Sequence, residues 1–273
     1  MLKALSDREI VIINVGANTH HSGLISPLYE DGSFFFMPIP EEGEKPDANK
    51  DLFPGCPKLP TYKDFIKDQK VWQYIRDRYL EKRVHNDPEF KTFTYGDNPK
   101  TIAKGKAANL KNHLWKDEGD LLFFFAGLTS IRNSEKTDDY HFYFIGFFEI
   151  CDILEDVTKM PSKDKLEIFG ENAHIKRGQA NPDFFNEFWV WKGSNNSQLF
   201  SKAVSFDLEL AKKILTVGKT EQPYNWPSDK SGAWRLLVSG TRTARRIMGD
   251  DRKRILLEQV LDAKTMSLYS KIP

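Results

Sequence analysis

The chain has 273 residues, and its charges nearly cancel, with 40 Lys and Arg against 39 Asp and Glu for a formal net charge of +1. This balance excludes a strongly basic overall field, so any contact with nucleic acid has to come from local basic patches. The hydrophobic content of 40% and the charged content of 29% are typical of a soluble globular protein.

Redox and targeting signals favour the cytoplasm. The two cysteines, Cys56 and Cys151, are far apart in the chain and lack metal-ligand spacing, as expected for a reduced cytoplasmic protein. Residues 1–15 have no basic start, no long apolar core and no cleavage site, so no signal peptide is predicted. No apolar run approaches the roughly 20 residues of a membrane helix, and we expect no contact with a membrane.

The N-terminal part begins with a predicted strand over residues 9–15 and a polar loop over residues 16–23. A loop held by a strand end often carries a site, although a plain connection explains the same pattern equally well. Asp31-Gly32 predicts a turn, because this pair favours positive φ, and residues 33–39 predict a returning strand. The loop supplies three candidate pocket residues: His20, His21 and Ser22.

Three segments predict helices. Apolar residues recur at helical spacing over residues 62–82, with one break near Gln69, and again over residues 101–115. Asp207 predicts the N-cap of a third helix, near residues 207–217.

Two aromatic runs predict the nucleus of the fold. Residues 121–126 and 142–148 are short, bounded by turn residues and apolar on both faces, which favours strands buried deep in a sheet. Because a polar loop of about 15 residues joins them, they are expected to pair in antiparallel fashion. We expect Phe124 and Phe144 to be largely buried.

Further strands are predicted at residues 188–191, 199–206 and 233–238. Together the elements predict one α+β domain over residues 1–273, with a strongly curved or barrel-like mixed sheet and peripheral helices. Its last part, residues 241–273, is a basic C-terminal tail, and the chain shows no internal repeat and no clear domain boundary.

The strongest candidate for chemistry is His85-Asn-Asp87-Pro88, in which an imidazole and a carboxylate stand two residues apart. Such a pair can bind a metal, act as an oriented acid/base couple, or brace a turn through a local hydrogen bond. Asp31 is a further candidate acid. There is no HExxH motif and no closely spaced histidine pair on a helix, so no metal ligands are assigned.

Common catalytic signatures are absent from the sequence. It has no GxSxG, no P-loop and no GxGxxG after a strand, which argues against the common hydrolase, NTPase and Rossmann classes. The remaining histidines lie near loops and strand starts, and we expect at least two of them within about 10 Å of His85, the reach of a small-molecule pocket. These histidines are His20, His21, His113, His141 and His174.

Two basic groups could contact phosphates, although a solvated surface is the more usual meaning of such runs. The candidate contacts are Lys104, Lys111, Arg245 and Arg246. Recognition of a base outside a duplex also needs flat rings for stacking. Trp189 and Trp191 are candidates for that role, with burial in the core as the alternative.

Several segments in the same order resemble the nucleotide modification associated domain 3 family, over about residues 10–240. The segments are Pro27-Leu-Tyr-Glu-Asp31-Gly32 with Pro38-Ile-Pro40, Val84-His85-Asn-Asp87-Pro88, residues 107–114, residues 119–127 and residues 141–146, with His174 and residues 188–191 fitting less tightly. The chain departs from the pattern at residues 18–22, where an Asp/Ser-containing stretch is expected, and at Asp97, where Gln is usual.

Residues 116–156 are also similar to PUA-like domains of the EVE and ASCH kind, small β-barrels that hold bases. The resemblance implies a PUA-like sheet and a link to DNA base modification.

Three functions follow as hypotheses. The first is recognition or processing of a modified nucleobase, with DNA or a modified nucleotide as the partner. The second is an enzyme acting on a base or nucleotide, a glycosidic-bond hydrolase or transferase that uses histidine and aspartate as acid and base. The third is a non-catalytic interaction protein. The sequence assigns no cofactor and no oligomeric state.

Overall fold

An eight-stranded mixed sheet organises the protein, as seen in a computed structural model. The structure describes residues 7–17, 21, 23–41, 59–97, 110, 114, 119–159, 168–169, 172–180, 182–185, 187–217 and 221–261. The strands are β1 (Ile10–Asn14), β2 (Pro27–Leu28), β3 (Ile39–Pro40), β4 (Val84–His85), β5 (Thr94–Asp97), β6 (Leu121–Arg132), β7 (Glu135–Leu154), β8 (Trp189–Gly193), β9 (Gln198–Ser205) and β10 (Arg245–Arg246). The helices are α1 (Tyr62–Phe65), α2 (Gln69–Trp72), α3 (Asp77–Leu80), α4 (Ala173–Ala180), α5 (Pro182–Phe185), α6 (Leu208–Ile214), α7 (Lys230–Gly240) and α8 (Asp250–Val260).

The strand order is β10-β1-β6-β7-β8-β5, with β2 pairing β6 and β9 pairing β7 beside this path. β1 and β2 run parallel to β6, whereas the other pairs of this sheet are antiparallel. β3 and β4 form a separate antiparallel pair. Among the described strands the sheet stays open, with β10 and β5 at its ends. The α+β architecture is therefore confirmed, whereas its barrel-like, PUA-like form is not.

The central pair is confirmed as antiparallel neighbours. β6 pairs with β7 through partners such as Phe125 and Phe144, and both Phe124 and Phe144 are fully buried. The expected loop of about 15 residues is wrong, because both strands continue past the core to Arg132 and Glu135. Only Asn133 and Ser134 lie between them, at φ 50° and 65°, the region that tight hairpin turns require.

The apolar faces of β6 explain why its sequence is hydrophobic at successive positions. Phe123 and Phe125 pack in a core with helices α6, α7 and α8, while Phe124 packs on the opposite face with Tyr95 and Trp191. Successive strand residues point to opposite faces, so a strand covered on both sides carries apolar residues throughout.

The predicted helix over residues 62–82 is three short helices rather than one with a single break. Thr61 caps α1 and Asp68 caps α2 by accepting backbone N–H groups, whereas α3 begins after Arg76 without a side-chain cap. The helix predicted near 207–217 is confirmed as α6, with Asp207 accepting the N–H of Leu210. The helix predicted over residues 101–115 lies outside the described residues apart from Leu110 and Leu114, both of which are buried.

The strand predicted at residues 233–238 is wrong, because this segment lies in helix α7. Asp229 caps the helix through the N–H of Gly232, and Ala233 and Leu237 are buried at helical spacing. In the C-terminal part, β10 pairs with β1, and α8 buries Leu256 and Leu257 in the core of α6 and α7. No helix within the described ranges is long and apolar enough to cross a membrane.

Candidate His–Asp–His site

The end of β4 presents His85 and Asp87 to the interior. His85 pairs with Ile39 of β3, and the N–H of Asp87 donates to the carbonyl of His85 at 3.0 Å. Pro88 follows and excludes helical backbone at Asp87. Both residues are buried, with exposed fractions of 6% and 8%. Two residues that a turn would ordinarily leave in water are therefore held inside the protein.

His174 approaches the same place from the first turn of α4. Asn172, which is fully buried, accepts the N–H of His174 on its side-chain oxygen at 2.9 Å. The side-chain nitrogen of Asn172 donates to Asp87 Oδ1 at 3.0 Å and to Thr94 at 3.3 Å. One asparagine therefore joins the start of α4 to the segment that carries Asp87.

The two histidines and the aspartate form one cluster. Nε2 of His174 lies 3.4 Å from Oδ2 of Asp87. The rings of His85 and His174 meet edge to face, with centroids 4.8 Å apart. One nitrogen or oxygen from each of the three residues lies within 4.8 Å of the others. We call these three residues the His–Asp–His site.

Gly96 of β5 makes this approach sterically feasible. Its N–H donates to Asp87 Oδ1 at 2.9 Å. A Cβ atom at this position would lie 2.4 Å from Cδ2 of His174 and 3.0 Å from Oδ1 of Asn172. Real side-chain contacts do not approach so closely, and the strand therefore needs glycine here.

A buried ion pair between Glu41 and Arg177 lies next to His85. Nδ1 of His85 lies 3.3 Å from Oε2 of Glu41, and Glu41 also pairs with Arg177 of α4. Burial lowers the pKa of His85, against the opposing effect of Glu41. Burial alone would raise the pKa of Glu41, but the hydrogen bond with His85 and the charge of Arg177 outweigh it and lower that pKa.

A cavity of about 510 Å³ lies beside the segments that carry the site. Its wall includes Val84, Asn86 and Ala173, the immediate chain neighbours of the three site residues. Lys91 and Lys176 contribute cationic groups to the same wall. Six phenylalanines line it: Phe34, Phe35, Phe36, Phe65, Phe90 and Phe200. We call this space the phenylalanine cavity.

The other candidate histidines have different surroundings. His141 is exposed, lies 2.8 Å from Asp139 and packs against Trp234. His21 lines a separate cavity of about 540 Å³ together with Arg76 and Tyr140. Among the histidines within the described ranges, His174 is the one whose ring contacts His85. His20, Ser22 and His113 lie outside the described residues.

The remaining candidates also have defined places. Asp31 accepts hydrogen bonds from Ser33 in the predicted turn. Trp189 and Trp191 are buried in the core, the alternative that the sequence left open.

The candidate phosphate contacts lie partly in the sheet. Arg245 donates to the carbonyl of Gly240, and Arg246 of β10 pairs with Glu9, which directly precedes β1. Their contact with phosphates stays a prediction. Lys104 and Lys111 fall outside the described residues.

Sequence reasoning missed four residues that build the site: Glu41, Gly96, Asn172 and Arg177. A glycine inside a strand pattern is a recognised sign of close approach, so Gly96 carried a usable signal. Asn172 and Asp87 are 85 positions apart, and no spacing rule connects such residues.

These features define an α+β protein with a buried His–Asp–His site next to an aromatic cavity. The three side chains of the site are of the types that coordinate metal ions. The chain belongs to the family described as nucleotide modification associated domain 3, whose profile matches residues 9–235. The resemblance inferred from the motifs is thereby confirmed, whereas the PUA-like similarity is not. No curated protein and no solved structure matches the chain significantly.

Proposed function

We propose that this protein binds a modified nucleobase of DNA in the phenylalanine cavity and processes it at the His–Asp–His site. The observation that carries this proposal is a buried cluster of two histidines and one carboxylate whose immediate chain neighbours line an aromatic cavity. The family description, which links the fold to nucleotide modification, supports the choice of substrate.

The cavity suits a base that has left a duplex. Its volume of about 510 Å³ falls within the range of about 300–1,000 Å³ typical of small-molecule pockets. Extruded bases stack on aromatic rings, and every base offers a flat face for that contact. The ring of Phe90 is fixed in orientation by edge-to-face contacts with Phe36, Phe124 and Phe148. It is therefore suited to stack on an extruded base.

Charge at the cavity favours a nucleotide over an uncharged ligand. The cavity wall contains two lysines, Lys91 and Lys176, and one acidic residue, Glu89. The carboxylate of Glu89 accepts the N–H groups of Lys91 and Thr92, so it is engaged in its own turn. Lysine side chains in a cavity wall attract the phosphates that flank an extruded base.

The first experiment measures DNA binding as a function of salt. The probe is a set of fluorescent oligonucleotides, each carrying one methylated, hydroxymethylated or deazapurine base, with the unmodified oligonucleotide as reference. Wild-type protein is expected to bind one modified oligonucleotide more tightly than the reference. Charge reversal of both Lys91 and Lys176 is expected to flatten the log–log salt dependence by about two units, one per phosphate contact.

Two further variants separate stacking from general stability. Phe65→Leu removes a cavity ring but keeps an apolar side chain, and it is expected to weaken binding about tenfold through lost stacking. Phe206→Leu makes the same change in the core of α6, outside this cavity, and leaves affinity unchanged. Identical, salt-insensitive binding by all variants would contradict the proposal.

Processing is tested by mass spectrometry of nucleosides after incubation with the preferred oligonucleotide. The wild-type protein is expected to convert the modified base. Asp87→Asn retains an oxygen for Gly96 and Asn172 and is expected to bind the DNA without converting it. Binding without conversion by the wild-type protein would reduce the function to recognition.

A further inference from the structure

We propose that His85, Asp87 and His174 bind a single divalent transition-metal ion. This inference concerns the site described above but does not depend on its substrate, because metal binding is measured without DNA.

The donor atoms are already close to coordination distance. A zinc ion with bonds of about 2.0–2.2 Å in tetrahedral geometry holds its donors about 3.3–3.5 Å apart. The separation of 3.4 Å between His174 Nε2 and Asp87 Oδ2 meets this requirement. No two of the three donors are more than 4.8 Å apart, so the widest pair has to close by roughly 1.5 Å, a shift within reach of side-chain rotation.

The partners of the donor residues form the outer layer that metal sites use. Metal-binding histidines usually direct their second ring nitrogen at a carboxylate or carbonyl, which sets the tautomer and the ring orientation. Glu41 occupies Nδ1 of His85 in this way and leaves Nε2 for a ligand bond. Gly96 and Asn172 occupy Oδ1 of Asp87 and leave Oδ2.

An independent observation comes from His174. Its Nδ1 atom is buried and has no hydrogen-bond partner among the described residues. In a purely structural network, buried polar atoms of this kind are nearly always paired. No hydrogen bond from a described residue at Nδ1 fixes the tautomer of His174, so Nε2, the atom beside Asp87, can be the unprotonated nitrogen that binds the ion. The residue is 94% buried, given its exposed fraction of 6%.

Charge and donor type select the class of ion. Around His85, two carboxylates (Glu41 and Asp87) face one guanidinium (Arg177), which leaves one formal negative charge when the imidazoles are neutral. Two imidazoles with one carboxylate suit Zn²⁺, Fe²⁺ and Co²⁺, whereas Mg²⁺ and Ca²⁺ prefer oxygen ligands. Three protein ligands also leave a position open for water or substrate, as catalytic metal sites do.

The test uses the full chain, stripped of metal by dialysis against a chelator. Co²⁺ is titrated as a spectroscopic probe, Zn²⁺ is used to displace it, and bound metal is counted by mass spectrometry after gel filtration. We expect one Co²⁺ per chain, with visible absorption bands that disappear when Zn²⁺ is added. His174→Ala and Asp87→Asn are each expected to weaken binding at least a hundredfold, and Glu41→Gln about tenfold through the outer layer.

His141→Ala is the matched control, because His141 also lies beside an aspartate but is exposed and contacts Trp234. It is expected to bind Co²⁺ as the wild type does. Circular dichroism confirms that each variant is folded. A folded wild-type protein without stoichiometric Co²⁺ or Zn²⁺ binding would overturn the proposal, as would equal binding by His174→Ala. Preferential binding of Mg²⁺ would overturn the assigned class of ion.

Discussion

Gly96 shows how a single missing side chain shapes the His–Asp–His site. Its α-carbon faces the ring of His174, and its N–H binds Asp87. Gly96→Ala is expected to lower the free energy of unfolding by about 1–3 kcal/mol, because the new methyl group forces the ring and Asn172 aside. Urea denaturation measures the loss, and the same variant is expected to bind Co²⁺ more weakly.

Gly240→Ala is the control for this prediction. Gly240 ends α7, and the nearest atom to an added Cβ there is the hydroxyl of Tyr224 at 3.7 Å, an ordinary contact. Alanine at this helical position is expected to leave stability unchanged or to raise it by up to about 1 kcal/mol. Equal losses for both variants would show that the contact with His174 does not determine the effect.

At this scale the sequence identified part of the site. His85 and Asp87 were recognisable because they stand two apart before a proline, in a segment that resembles the family. His174 was one of five candidate histidines, and nothing in its spacing singled it out. Its contact with Asp87 depends on how α4 docks beside β5 through Asn172, and such docking has no local signature in the sequence.

The turn between β6 and β7 offers a prediction at the scale of the element. Ser134 adopts φ 65°, where glycine is preferred in a two-residue hairpin turn. Ser134→Gly is expected to raise the free energy of unfolding by about 1 kcal/mol, because it removes left-handed strain. Asn133→Ala is expected to act in the opposite direction, and thermal or urea unfolding measures both. A destabilised Ser134→Gly variant would contradict the turn geometry.

The cap of α6 gives a second prediction at this scale. Asp207 accepts the N–H of Leu210 at 2.8 Å and starts a helix that buries Ile214. Asp207→Ala is expected to cost about 0.5–2 kcal/mol of folding stability, the usual effect of removing a cap. Glu209→Ala removes an exposed ion pair with Lys212 and an acidic group in the first turn of α6, and it is expected to cost less than the cap, about 0.5 kcal/mol. A neutral Asp207→Ala variant would remove the assigned cap.

Strands and helices could be predicted from the sequence where a single pattern of apolar residues ran through the segment. Residues 121–126 and 142–148 were identified as paired strands because only a doubly covered strand is apolar at successive positions. The prediction of a loop over residues 127–141 is wrong, because the hairpin extends beyond the core and its outer part is polar. Residues 233–238 were mistaken for a strand, because a short apolar run fits either period when its cap, Asp229, is overlooked.

A buried charge network joins distant parts of the whole molecule. Arg8, two residues before β1, lies 2.9 Å from Glu149 of β7 and also donates to the carbonyl of Gly119 before β6. The second carboxylate oxygen of Glu149 accepts from Ser194 and Asn196, in the connection between β8 and β9. Arg8 and Glu149 are 1% and 5% exposed, so the pair is shielded from water. The Arg8–Glu149 pair therefore connects β7 with the segments that flank β1, β6, β8 and β9.

This network predicts a strong asymmetry between single and double variants. Arg8→Met keeps much of the side-chain volume but leaves a buried carboxylate without its cation, and it is expected to lower the free energy of unfolding by about 3–5 kcal/mol. Adding Glu149→Gln removes the unpaired charge while keeping a side chain that can bind Ser194 and Asn196. The double variant is therefore expected to recover a large part of the loss, as measured by urea denaturation at constant pH. Additive losses in the two single variants and the double variant would show that Arg8 and Glu149 stabilise the sheet independently, and that their contact does not tie its strands together.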